Sequence, residues 1–135
     1  MIRKLTTAIL ILAVVTLGLT QCAKTFKNNI TVQELQKKRQ ANPDLFILDV
    51  RTPGEYYKDG HIKGSKLIPI NELTKRLGEI KDKKDKEIYV ICHSGSRSVS
   101  SSIALDQLGF TKIYNVLGGM SAWKRNRFPI AKGKS

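Results

Sequence analysis

Cysteine is scarce in this chain. Only Cys22 and Cys92 occur in 135 residues, and two thiols cannot build the multi-bridge framework of a small disulfide-stapled domain. Histidine is equally sparse. His61 and His93 with one Cys form no recognisable ligand spacing, which argues against a metal centre. No uncharged apolar run reaches the roughly 20 residues of a transmembrane helix. Nothing repeats at a period of about 20–50 residues, so a solenoid is not expected. Aromatic residues are 7% of the chain and do not interleave with its basic clusters, so the stacking half of a nucleic-acid surface is missing. The four Pro and ten Gly are scattered and mark turns, not a low-complexity tract. A hydrophobic content of 41% is adequate for one compact core.

What is present begins with a leader. Met1-Ile2-Arg3-Lys4 is basic, and Leu5 to Leu19 is uncharged and mostly apolar. That is the pattern of a secretory signal over residues 1–22. Leu19-Thr20-Gln21-Cys22 has the Leu-to-Cys spacing of a bacterial lipobox, in which the Cys is lipidated and becomes the mature N-terminus. Gln21 departs from the usual small residue before that Cys. Ordinary cleavage and a retained anchor are the alternatives, and a spare Cys is the plainer reading of Cys22. Export to the periplasm or cell envelope is expected, with membrane anchoring through lipidated Cys22. Residues 23–27 read as a linker, 28–131 as the domain and 132–135 as a basic tail.

Charge is lopsided, with 24 Lys and Arg against 11 Asp and Glu, or +13. Losing Arg3 and Lys4 with the leader leaves +11. An excess of that sign attracts small anions or an anionic membrane surface. Export argues against nucleic acid as the partner, and a generally basic proteome is the plainer account. Lys81-Asp82-Lys83-Lys84-Asp85-Lys86 mixes signs and reads as a solvated loop.

Cys92 carries the chemistry. It ends the apolar run Glu87 to Ile91 and opens Cys92-His93-Ser94-Gly95-Ser96-Arg97-Ser98, after which Val99, Ile103, Leu105 and Leu108 form an amphipathic stretch. The pattern reads as buried strand, small-residue loop and helix. A sulfur there lies over a helix N-terminus, where unpaired N–H groups and the helix dipole favour an anion. The small side chains let those N–H groups converge, and Arg97 adds a fixed charge. Ser98 is read as a hydroxyl donor or as the helix cap. A buried structural Cys is the alternative.

Around this loop, Thr31-Val32-Gln33-Glu34 has the capping-box form and opens a helix to about Arg39. Leu45–Val50 reads as a strand, and Thr52-Pro53-Gly54 as a turn before a helical turn at Glu55-Tyr56-Tyr57. Lys66–Ile70 reads as a strand, with Asn71 capping a helix to about Leu77. Lys112–Val116 is the last strand, and Gly118-Gly119 turns into a short helix around Trp123, a core anchor. Alternating strands and helices imply an α/β domain with a parallel buried sheet. Ligands in such sheets sit beyond the carboxyl ends of strands, where Asp49 and Cys92 both fall. Asp49 is expected to bond loop amides or Arg51, with a catalytic role as the lesser reading. Arg51 is expected to pair with Glu55 or steer a donor. Arg97 is expected to pair with Glu55 or Asp49, with contact to a bound anion as the lesser reading, and His61 to be a hydrogen-bonded core residue.

Four ordered segments resemble the rhodanese family: Asp49-Val50-Arg51 with Glu55-Tyr56; Gly60-His61-Ile62 with Gly64-Ser65 and Ile68-Pro69; the loop Cys92 to Ser98; and Leu108-Gly109-Phe110 through Val116, Gly118-Gly119, Trp123 and Pro129. The resemblance implies a five-stranded parallel sheet with helices on both faces. It implies chemistry that needs neither metal nor organic cofactor, in a chain that resembles the exported single-domain thiosulfate sulfurtransferases; a monomer is expected. Cys92 would take sulfur from a small anionic donor such as thiosulfate and pass it from a persulfide to cyanide or a thiol, the N–H groups of His93 to Ser98 stabilising that persulfide. A persulfide carrier serving a protein partner is the alternative. The related phosphatases and arsenate reductases have five residues between Cys and Arg, whereas four separate Cys92 from Arg97, which suits a sulfur atom. His93 stands where the family often has Arg, which makes docking of an anionic donor weaker or sensitive to pH. A general-base role for His93 is the lesser reading beside that of a loop-lining side chain.

Overall fold

The computed structural model describes residues 25–134. The lipobox, the leader and Cys22 lie outside them, as does Ser135. Within them the order is β1 (Asn29–Ile30), α1 (Val32–Ala41), β2 (Ile47–Asp49), a π-helical turn (Glu55–Asp59), β3 (Lys66–Leu67), 3₁₀ segments over Ile70–Glu72 and Thr74–Lys83, β4 (Glu87–Ile91), α2 (Ser96–Gln107), β5 (Lys112–Val116) and α3 (Gly119–Arg125). The strands form one sheet in the order β1-β5-β4-β2-β3, parallel at every pairing, with β4 at its centre. The α/β architecture expected from the alternation is therefore the one observed.

Side chains alternate across a strand with a period of two, and here both faces are covered. Ile88, Val90 and Cys92 of the β4 run pack with Leu48, Val50, Leu105 and Ile113 on the α2 side. Tyr89 and Ile91 pack with Leu35, Ile47, Ile62 and Trp123 on the side of α1 and α3. The same alternation on β5 sends Ile113 toward α2 and Val116 toward α3. At about 25 cal/mol per Å² of apolar surface, such two-sided burial is the main stabilising contribution.

Local signals hold at α1. The Glu34 amide donates to Thr31 Oγ1 at 3.2 Å, and the Thr31 amide donates to Glu34 Oε2 at 2.8 Å, completing the capping box. Elsewhere the structure corrects the expectations. Asn71 caps nothing. It lies inside a 3₁₀ turn that follows extended Pro69, with no side-chain cap bond. The chain then continues as 3₁₀ turns to Lys83 and not as an α-helix ending near Leu77, so the first half of the charged tract is helical. β3 is two residues long, although beyond it the Ile68 and Ile70 amides still donate to the Asp49 and Val50 carbonyls of the β2 side, each at 3.0 Å. The edge strand β1 carried no apolar run and was not anticipated. Phe26, within the stretch read as linker, is buried against Val90 and Ile113 in the core.

Candidate active site

The carboxyl end of β4 delivers Cys92 into the interior. Its side chain is fully buried, and it is a free thiol. Gly95 shapes the loop. Its φ of 119° is open to glycine alone among common residues, and it aims the Gly95 N–H at Cys92 Sγ, 3.1 Å away. Of the loop amides from His93 to Ser98, this is the one that reaches the sulfur in this structure. The first-turn N–H groups of α2 have no intrahelical partners and remain at the loop for an incoming group.

Ser98 is not a cap. Gly95 occupies the N-cap position, and Ser98 lies in the first turn, fully buried. Its Oγ lies 3.4 Å from Cys92 Sγ, 2.9 Å from the Gly95 carbonyl and 2.6 Å from Asn115 Oδ1. His93, Ser94 and Ser96 are exposed along the outer lip. His93 Nε2 lies 3.3 Å from Ser121 Oγ on α3.

Arg97 is committed to Glu55. Its Nη1 and Nη2 donate to Glu55 Oε2 and Oε1 at 2.8 and 2.6 Å, a two-pronged ion pair. Glu55 also receives the Thr52 amide and hydroxyl, each at 2.9 Å. The Arg97 bonds first, and the Thr52 bonds after burial's opposing effect, lower its carboxyl from 4.5 to about 2. The same pair raises the Arg97 guanidinium. The alternative pairing of Arg97 with Asp49 is not made.

Asp49 is wholly engaged by Arg51. The Arg51 Nε and Nη2 donate to its carboxylate at 2.7 to 3.1 Å, the Arg51 amide adds a bond at 3.1 Å, and both residues are buried. Arg51 Nη2 and Nη1 also donate to the Gly60 and Glu55 carbonyls, at 2.9 and 3.3 Å. The expected Arg51–Glu55 side-chain pair is absent because Glu55 is committed to Arg97. Asp49 does not reach the loop amides, because it follows Leu48 on the strand and points to the opposite face of the sheet from Cys92. His61 is a core residue as expected, its Nδ1 2.9 Å from the Tyr56 carbonyl and its ring stacked 3.8 Å from that of Tyr56. Trp123 is fully buried, and its Nε1 donates to the Pro129 carbonyl at 2.9 Å.

Two contributors escaped the sequence reading. The N-terminus of α3 braces the loop from outside: the Met120 and Ser121 amides donate to the Cys92 and His93 carbonyls at 2.8 and 2.9 Å. Gly119 makes this approach feasible, since a Cβ there would overlap the Cys92 and His93 carbonyls. Asn115 is the other, a buried amide behind Ser98. Neither has a local motif, because each meets the loop only through the fold. Among the described residues no cluster of His, Cys, Asp and Glu could hold a metal ion.

The model of the rhodanese-like domain matches residues 31–126. Over 103 residues the chain is 32% identical to a sulfurtransferase of Allochromatium vinosum, covering 76% of this chain and 94% of that one. Over 94 residues it is 40% identical to a candidate sulfur carrier protein, YrkF, of Bacillus subtilis (strain 168), covering 70% of this chain. The match spans about half of that relative, 49% of its length. The crystal structure of a rhodanese-related protein from Thermoplasma volcanium superposes with a TM-score of 0.68 at 33% identity, covering 77% of this chain and 97% of that one. The ordered motifs, the five-stranded parallel sheet and these likenesses together make the chain a member of the rhodanese family, a family of sulfur carriers and sulfurtransferases.

Proposed function

We propose that this protein is a sulfurtransferase that moves sulfane sulfur through a persulfide on Cys92. The Cys92 thiolate attacks the outer sulfur of thiosulfate or a similar donor. A new S–S bond forms, and the bond to the sulfonate sulfur breaks with its electron pair leaving on sulfite. The terminal persulfide sulfur then bonds to cyanide or to an acceptor thiolate, and Cys92 departs as the thiolate. This is covalent catalysis that divides one transfer into two. The Gly95 N–H is placed to stabilise the charge held on sulfur, and the unpaired amides of the α2 first turn are placed to meet the second sulfur or the leaving sulfite.

The observation that carries this reading is the pairing of a tight loop with an arginine already committed to a carboxylate. An oxyanion site would aim the guanidinium into the cradle. Here Arg97 is bonded to both oxygens of Glu55, which leaves the loop N–H groups, Gly95 foremost, as the donors for the sulfur. Phosphatase or arsenate reductase chemistry is correspondingly disfavoured.

The test is the intact mass of the chain carrying Cys22→Ser, before and after thiosulfate, with Cys92→Ala alongside. The expected result is a gain of one sulfur (about 32 Da), absent from the Cys92→Ala chain and reversed by cyanide, as covalent transfer through this thiol requires. Sulfur transfer by the Cys92→Ala chain would refute the assignment. A persulfide that forms and then resists cyanide would mark a carrier serving a protein acceptor. We further propose that the protein acts in the cell envelope, anchored by lipid at Cys22, on the strength of the basic-then-apolar leader and the Leu19–Cys22 spacing. Full-length protein that partitions to membranes, and a Cys22→Ala form that does not, is the expected outcome.

A further inference from the structure

A chain of side-chain hydrogen bonds runs from the sulfur to the sheet edge, and its direction is fixed at the far end. Asn29 Nδ2 lies 2.7 Å from the Phe26 carbonyl. A carbonyl only accepts, so the amide nitrogen of Asn29 must face it and its Oδ1 must face away. That Oδ1 lies 2.9 Å from Asn115 Nδ2, across the parallel register that sets Asn29 opposite Asn115. Asn115 Oδ1 therefore faces Ser98, 2.6 Å from its Oγ. Ser98 has one hydroxyl proton. Its two oxygen neighbours, Asn115 Oδ1 and the Gly95 carbonyl, are both acceptors. The proton is thus committed away from Cys92, and Ser98 turns a lone pair toward the sulfur 3.4 Å away.

We propose that Ser98, oriented by Asn115 and Asn29, is a positioning residue that presents a lone pair, not a proton, to the sulfur of Cys92 and so works against the Gly95 N–H. A lone pair accepts S–H and repels a thiolate. To assist the thiolate, Ser98 would have to rotate its O–H onto sulfur and leave the buried Asn115 oxygen without a donor. Gly95 N–H acts in the opposite sense, as a donor at 3.1 Å. The reactivity of the thiol is set by this opposition between a fixed backbone donor and a rotatable hydroxyl held as an acceptor. The inference rests on Cys92 being the reacting sulfur, but it concerns the thiol before any donor arrives.

The test is the pH–rate profile of iodoacetamide alkylation in the full chain carrying Cys22→Ser, so that one thiol reports and sulfur transfer is not involved. Ser98→Ala removes the lone pair. Asn29→Leu, at an exposed edge position, removes the acceptor that orients Asn115. The Asn115 amide can then flip and donate to Ser98, which leaves the Gly95 carbonyl as the one acceptor competing with sulfur for the hydroxyl proton. Both variants are expected to move the profile to lower pH, by up to about one unit, or tenfold in rate below neutrality. Ser98→Ala combined with Asn29→Leu should move it no further than Ser98→Ala alone, because Asn29 acts only through Ser98. The charged groups around the loop (Arg97 with Glu55, Asp49 with Arg51, and His93) are the same in every form. A shift to higher pH in Ser98→Ala would show that Ser98 donates to the thiolate and overturn the proposal. An Asn29→Leu profile that superposes on the parent would overturn the orienting chain.

Discussion

Glu55→Gln removes the charge that engages Arg97, and its effect on stability follows from the ion pair. The carboxyl of Glu55 is lowered from 4.5 to about 2, first by the bonds from Arg97. At about 1.4 kcal/mol per unit, the shift corresponds to roughly 3 kcal/mol of preference for the ionised folded form. The two side chains are 24% and 32% exposed, and screening by that solvent reduces the net contribution to about 1–2 kcal/mol. The sign is fixed because the folded value lies below the unfolded one. The stabilisation is complete above 4.5 and is lost as pH falls from there toward about 2. Urea unfolding of parent and variant should therefore differ by about 1–2 kcal/mol at pH 7 and by about half as much at pH 3. The same variant frees the Arg97 guanidinium beside the loop, so the KM for thiosulfate should fall several-fold. A stability difference that is equal at the two pH values would refute the assignment of this energy to an ionised Glu55. An unchanged KM would refute the claim that Arg97 is withheld from the donor.

The buried Asp49–Arg51 pair predicts a larger loss: Arg51→Met strands a buried carboxylate and should cost about 3–5 kcal/mol, a drop of about 10–20 °C in Tm for a domain of this size. Asp49→Leu combined with Arg51→Met should recover most of that loss, as read by thermal unfolding. Gly119→Ala places a Cβ 2.6 Å from the His93 carbonyl at a φ of 55°. It should cost about 1–3 kcal/mol and should also slow Cys92 alkylation, because the loop carbonyls and the sulfur move together.

Most of what was legible in the sequence was periodic or local. The apolar run Glu87–Ile91, the small loop and the amphipathic stretch after it specify β4, the cradle and α2, because buried strand and capped helix are written in consecutive residues. The capping box at Thr31 specified α1 for the same reason. Two-residue β1 was not legible, since a parallel edge strand of that length is set by its partner β5 and not by its own pattern. The 3₁₀ path from Ile70 to Lys83 was missed because Asn71 carries a cap signal that the geometry after Pro69 does not use. At the site, spacing alone offered Arg51, Arg97, Asp49 and Glu55 in several pairings. The pleat decides among them: it sends Asp49 and Cys92 to opposite faces, so Arg51 closes on Asp49 and Glu55 is left for Arg97. Asn115 was invisible for a related reason, since its only signal is to share a face with Ile113 and so to meet Ser98.

The charge of the whole chain and the charge at the sulfur have separate effects. A net charge of +13 draws small anions toward the molecule over distances up to about a Debye length, roughly 8 Å at physiological salt. At the site that excess is locally offset, because Arg97 of the loop is matched by Glu55, and Arg51, on the far face of the sheet, by Asp49. On the proposed function, final recognition would then fall to oriented N–H dipoles and to His93 at the lip. Dipoles of fixed direction stabilise charge that develops on a sulfur atom without binding a free oxyanion tightly beforehand. On the proposed reaction this division is productive, since a guanidinium aimed at the cradle would hold the donor's sulfonate oxygens about equally in the ground state and in the transition state. Binding both states equally would lower KM without speeding the transfer. By that argument Glu55→Gln, while lowering KM, should leave kcat unchanged or reduce it. A variant with both lower KM and higher kcat would show that the committed arginine is a cost to catalysis and not part of its design.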